Sequence, residues 1–233
     1  MQAEFKKVFS AMGTRFELIL RGEDFHHLEA VTAAIVDEVE RLDSRLSRFN
    51  PGSEVTRINR TAGSRPVLVD RELFALLQRG SLASEMTHGY FDLAAATGGG
   101  DLALDEDGCS VRFLNPSAQL DLGGIGKGYA LDRAAEILVR FSVGEALLSA
   151  GSSSILVRGG PWNVALRHPS LPGRTVKSLE LSDEALSCSA ARHPDQEISD
   201  VINPVTGQTV EGNEACAVWA GNATEAEILS TAL

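Results

Sequence analysis

The chain reads as an α+β protein, and three observations predict it. Strand-like and helix-like stretches are mixed along the sequence without the regular βαβ alternation of a parallel sheet. After the break at Gly22-Glu23-Asp24, a long amphipathic stretch carries Leu28, Val31, Ile35, Val39, Leu42 and Leu46 at helical spacing, with acids on the opposite face. A glycine-rich stretch beginning at Leu120 then passes from a short extended segment into a second helix, whose apolar positions are Ala130, Leu131, Ala134, Ala135 and Leu138.

The remaining elements follow in order. Residues Phe5 to Leu20 read as two strands meeting near Met12-Gly13-Thr14; Phe16, Leu18 and Leu20 alternate with charged neighbours, and Ile19 is the exception. Residues 47–59 are turn-rich, with Asn50-Pro51-Gly52 marking the turn and Ser53-Glu54 suited to cap a short helical turn. Val67 to Val69 is extended. Asp70 is the expected N-cap of a helix that turns Leu73, Phe74, Leu76 and Leu77 inward and runs to about His88. The small-residue run from Ala94 to Gly100 is expected to be a flexible loop. Val111 to Leu114 and the run ending at Leu120 suggest a hairpin leading into the glycines. Further strands are expected within residues 145–158, 162–166, 178–182 and 215–220, a loop or hairpin over 188–200, a turn at 203–207, and a final helix from Thr224.

Composition narrows the functional classes. With 233 residues the chain can bury a sizeable core, in one or two domains. The formal charge of −11, with basic residues scattered among acids, argues against broad nucleic-acid binding. A phosphate ligand would therefore have to be held by backbone N–H groups, single lysines or a metal. Cys109, Cys188 and Cys216 are odd in number and widely spaced, which fits neither a disulfide framework nor a metal-ligand pattern. No apolar run is long enough to span a bilayer. The first residues lack a signal peptide's apolar centre, so the expected compartment is the cytoplasm, or the cell envelope or periplasm if a leader has been removed.

Chemistry concentrates on the glycines. Gly123, Gly124 and Gly126 allow a tight turn, positive φ and close approach of a ligand. A glycine turn feeding a helix N-terminus presents N–H groups and the positive end of the helix dipole, and Lys127 adds a full charge. From these residues alone the stretch is either an anion site or a tight strand-to-helix connection, because Rossmann and P-loop spacings are both absent.

The motifs together resemble the ApbE family, the FAD:protein FMN transferases. They are Met12-Gly13-Thr14; Ser47-Arg48-Phe49 with Ser53-Glu54 and Asn59; Gly89 to Asp92; Asp121 to Asp132; Asn203 to Gly207; and Ser230 to Leu233. The resemblance implies one globular unit of mixed sheets flanked by helices over residues 1–233. It implies a reaction in which FAD is split at its pyrophosphate, FMN passes to a threonine hydroxyl of a target protein, such as one in a membrane redox complex, and AMP is released. It also implies Mg²⁺, held by the Gly126 carbonyl, Glu227 and Thr231. Glu227 and Thr231 are four residues apart and share one helix face. Carried over by position, Met12, Tyr90, Asp92, Gly123, Gly124, Lys127 and Asp132 would form the flavin site, Asp132 either meeting adenosine or capping a backbone segment.

Departures from the family pattern fall at the chemistry. Ser152-Ser153-Ser154 follows Gly151 where an acid is usual, Ser187-Cys188-Ser189 replaces Thr-Ser-Gly, Asn203 replaces an acid and Glu227 replaces an aspartate. Asp200 occupies the slot of a histidine that acts in proton transfer, so Asp200 or the neighbouring His193 is the expected proton acceptor. Two alternatives stay open beside the transferase: a degenerate relative that binds flavin or another partner without catalysis, and a Mg²⁺-dependent FAD pyrophosphatase yielding FMN and AMP.

Overall fold

A computed structural model describes residues 2–100, 102–168, 171, 173–191, 201–210, 212 and 215–233. Strands β1 (Ala3–Ala11) and β2 (Thr14–Gly22) form an antiparallel hairpin. Met12 and Gly13, both at positive φ, make its turn. Helix α1 (Phe25–Leu46) follows, with Asp24 accepting from the N–H groups of His26 and His27 at its start. Its expected inner residues, Leu28 to Leu46, are all buried. Ser53 caps α2 (Glu54–Thr61), β3 (Val67–Leu68) follows, and Asp70 caps α3 (Arg71–Met86). A 3₁₀ turn at Ala95–Thr97 leads to β4 (Leu102–Asp105) and β5 (Ser110–Phe113).

Helix α4 (Gly126–Arg140) precedes β6 (Glu145–Ala150), β7 (Ser154–Arg158), β8 (Trp162–Arg167), β9 (Thr175–Leu181) and β10 (Ala185–Ala190). The short pair β11 (Ile202–Asn203) and β12 (Gln208–Thr209), then β13 (Ala215–Ala220) and α5 (Ala223–Ala232), complete the chain.

The main sheet has six strands in the order β1-β2-β6-β7-β10-β13, antiparallel at every pairing. Leu18, Leu20, Leu148, Leu156 and Ala185 join the large core beneath α1, α4 and α5. Ile19, Leu147, Ile155, Val157 and Leu186 point the other way, onto Trp162, Val164 and Leu181 of the β8–β9 hairpin. Ile19 thus breaks the hydrophobic alternation because both faces of β2 are covered there.

Three sequence readings are corrected. Strand β5 pairs with β4 and β3, not with the run ending at Leu120, which stays irregular. Gly151, at φ +66°, splits residues 145–158 into two strands. Cys188 lies in β10, inside the sheet rather than in a loop, because the small residues of that strand leave room for α5 to pack on it.

Glu72 ties three helices together. Arg41 and Arg45 of α1 donate to its carboxylate, Tyr129 of α4 adds a hydroxyl donor at 3.2 Å, and Arg133 approaches to 3.7 Å. Hydrogen bonds from Arg41, more than any other cause, hold the Glu72 carboxyl down at about 2, while burial pushes the Tyr129 phenol up to about 12.

Candidate functional site

The glycine stretch opens into a cleft of about 660 Å³ between the start of α4, the α5 face and the end of β10. Tyr90, Asp92, Gly123, Gly124, Lys127, Glu227 and Thr231, drawn from distant parts of the sequence, all line it. The structure therefore brings together most of the residues that the sequence singled out.

The glycines act by closeness rather than by backbone twist: none of Gly123, Gly124 and Gly126 has positive φ. A Cβ on Gly124 would come within 3.3 Å of both Phe91 and Thr231. On Gly128 it would meet the Ala223 carbonyl oxygen at 2.4 Å, so this glycine lets α4 cross the start of α5. That crossing sets the electrostatics of the site. Glu227 is 3% exposed. One of its oxygens, Oε1, lies 2.5 Å from Lys127 Nζ, and the other accepts the Gly128 N–H. The anion expected at the N-terminus of α4 is therefore supplied by the chain itself. Lys127 Nζ also donates to the Gly123 carbonyl at 3.2 Å, folding the lysine back over the turn.

One turn along α5, Thr231 Oγ1 donates to the Glu227 carbonyl at 2.8 Å, and Ser230 Oγ lies 3.0 Å from Ser187 Oγ on β10. Carboxylate and hydroxyl oxygens are hard donors that suit Mg²⁺, and the Lys127 ammonium shows where Glu227 accepts positive charge. Among the described residues no group of three or more His, Cys, Asp or Glu could hold a metal. A cation at Glu227 and Thr231 would thus depend on hydroxyl, carbonyl, water or substrate oxygens as further ligands. Within those terms the donor set fits, although Gly126 itself does not line the cleft.

The other expected residues divide. Tyr90 stands half exposed at the cleft. Asp92 closes the loop behind it, accepting from the N–H groups of Ala94 (2.6 Å) and Gly100 (3.3 Å). Met12 occupies the β1–β2 turn, partly buried against the core and outside the cleft lining. Asp132 is also away from the cleft; it accepts from the N–H groups of Ala223 (2.7 Å) and Thr224 (3.0 Å) and from the Thr224 hydroxyl. Of the two roles open to it, the structure displays the cap. Asp200 and His193 lie outside the described residues.

Sequence reasoning assigned no role to Arg48 and Phe49, both of which line the cleft, Phe49 being 79% exposed. Their only signal was membership of the Ser47-Arg48-Phe49 motif. Cys188 lines the cleft too, but burial, with a smaller contribution from Cys216, pushes its thiol up to about 11, which keeps it protonated and poorly nucleophilic at neutral pH.

Comparison with known proteins adds a common theme. The ApbE family model matches residues 12–99 and 93–233. A FAD:protein FMN transferase of Klebsiella pneumoniae is 28% identical over 193 residues, 71% of this chain and 60% of the relative. Another, of Treponema pallidum, is 26% identical over 238 residues, 80% of this chain and 66% of the relative. The chain thus spans three fifths to two thirds of the length of these two relatives. Among solved structures, an ApbE protein of Thermotoga maritima superposes with a TM-score of 0.90 at 22% identity, covering 99% of this chain and 86% of the other. The flavin transferase ApbE of Vibrio cholerae gives 0.87 at 19% identity, covering 100% and 86%. At these identities the structural likeness speaks for the fold.

Proposed function

The chain belongs to the ApbE family, and from that premise we propose that it is a FAD:protein FMN transferase acting as one domain over residues 1–233. The observation that carries this reading is the convergence on one cleft of Tyr90, Asp92, the glycine turn, Lys127, Glu227 and Thr231. In the reaction, the hydroxyl oxygen of an acceptor threonine forms a bond to the phosphorus of the FMN half of FAD. The bond from that phosphorus to the bridging oxygen breaks, AMP leaves with that oxygen, and the hydroxyl proton passes to a base. Asp200 or His193 is the proposed base.

The chain's residues divide the remaining work. Tyr90 offers an aromatic face to the flavin ring system, while Gly123 and Gly124 let the phosphates approach the backbone. Lys127 supplies positive charge beside the turn. Glu227 and Thr231, with the Gly126 carbonyl, would hold Mg²⁺, which when bound offsets phosphate charge. The acceptor is proposed to be a threonine-bearing protein of a membrane redox complex; no helix among the described residues is long and apolar enough to cross a membrane.

One observation favours a second reading. Ser153, Ser187, Cys188 and Ser189 line the cleft within two of the motifs that depart from the family pattern, so the groups presented there differ from the usual ones and flavin binding without catalysis is the competing outcome. Incubation with FAD and Mg²⁺, with and without a threonine-bearing acceptor, separates the cases. AMP released only with acceptor supports the transferase. AMP released equally without it means hydrolysis, and bound FAD without any AMP means a binding protein.

A further inference from the structure

We propose that Arg48 binds the diphosphate of the dinucleotide substrate, an assignment that rests on the reading of the cleft as a FAD site. Two basic side chains, Arg48 and Lys127, line the cleft among the described residues. Both are tied to the same residue of the glycine turn, Gly123, one through its carbonyl and the other, by way of Asp121, through its N–H. Lys127 Nζ donates to the Gly123 carbonyl at 3.2 Å. The Gly123 N–H donates to Asp121 Oδ1 at 2.9 Å, and the other oxygen of that carboxylate, Oδ2, lies 2.9 Å from Arg48 Nε. Asp121 therefore couples the shape of the turn to the position of the guanidinium.

The two cations are not equivalent. Lys127 already neutralises the buried Glu227 carboxylate at 2.5 Å. Arg48 meets its aspartate through Nε, and its guanidinium carbon sits 4.4 Å from the centre of the Phe49 ring. These contacts involve Nε and the guanidinium face, while the two terminal nitrogens form a donor fork, the geometry that recognises phosphate oxygens in pairs. The Arg48 side chain is 40% exposed, so it reaches the ligand side of the cleft without being part of the core. A pyrophosphate lying along the glycine turn would have one phosphate toward Lys127 and the other toward Arg48. Uncharged riboflavin would draw on neither.

The test is a flavin-fluorescence titration of the full chain and of Arg48→Gln and Arg48→Lys with FAD and with riboflavin, at low and high salt. Arg48→Gln is expected to weaken FAD by about tenfold or more, the scale of a lost charge-assisted hydrogen bond, with riboflavin changed less than about twofold. Arg48→Lys keeps the charge but not the fork and should fall between. The salt dependence of FAD binding should shrink in Arg48→Gln. Unchanged FAD affinity, equal losses for the two flavins, or a loss of FAD affinity with the salt dependence intact would each overturn the assignment while leaving the FAD reading in place. Failure of the unsubstituted chain to bind FAD would overturn both. An unchanged melting temperature identifies the loss as local.

Discussion

At the scale of single residues the account turns on Glu227. It is nearly inaccessible, it accepts the Gly128 N–H, and it carries the counter-charge of Lys127. Glu227→Gln preserves the volume and an acceptor for that N–H but removes the charge, leaving Lys127 to turn toward solvent. The expected cost is about 1.5–3 kcal/mol in urea unfolding, the range for a hydrogen bond to a charged partner, together with loss of Mg²⁺-dependent AMP release from FAD. Unaltered stability and unaltered release would remove this carboxylate from the site. Position 227 was singled out by the family resemblance, since its four-residue spacing from Thr231 alone marks no more than a shared helix face. Its pairing was not legible: Lys127 and Glu227 meet only through the crossing of two helices that are far apart in sequence, and no local pattern encodes that crossing.

At the scale of elements, the same crossing is held by Asp132, for which the sequence left both a ligand and a backbone role open. Asp132 of α4 accepts two backbone N–H groups and a hydroxyl at the start of α5, beside the N-cap Asn222. Asp132→Ala should cost about 1–2 kcal/mol, the upper range for a lost cap, and Asp132→Asn should cost less because it keeps an acceptor. Equal urea midpoints for both variants and the parent would contradict the capping role. The sequence could not choose between adenosine and backbone as the partner of Asp132, since either needs only an acceptor on a helix surface.

A second element-scale prediction concerns the network joining α1, α3 and α4. The Glu72 carboxyl is lowered from 4.5 to about 2, chiefly by the Arg41 hydrogen bonds. A depressed folded-state value means that the unfolded chain takes up this proton first as pH falls. The contribution of Glu72 to stability is therefore fully present above about pH 5 and is lost progressively as pH falls from there toward 2. Urea unfolding at pH 7 and pH 3 should show a smaller pH difference for Glu72→Gln than for the parent. An identical difference in both would place the acid sensitivity elsewhere.

At the scale of the whole molecule, most helices and their caps were readable because capping residues and hydrophobic periodicity are local. Ser53 and Asp70 cap helices where the sequence placed caps, whereas Asp24, read only as part of a strand break, caps α1. Strand order was not readable, since a period-two pattern marks a strand without naming its neighbour, and β2 meets β6 across more than a hundred intervening residues. Ile19 and Cys188 misled for a related reason: they belong to a sheet covered on both faces, which only the β8–β9 hairpin and α5 reveal together. The cleft was legible where family motifs carried it, in Tyr90, Asp92, Lys127, Glu227 and Thr231. Arg48 was not singled out, because the partner that sets its position, Asp121, is distant in sequence.

The central claim, that this cleft takes FAD with a divalent cation, is tested most directly by titrating the protein with FAD in the presence and absence of Mg²⁺ and following flavin fluorescence. The account predicts saturable binding that tightens when Mg²⁺ is present, and a smaller Mg²⁺ effect in Glu227→Gln. Absence of saturable binding under both conditions would contradict it, leaving a chain with the family fold and no flavin site.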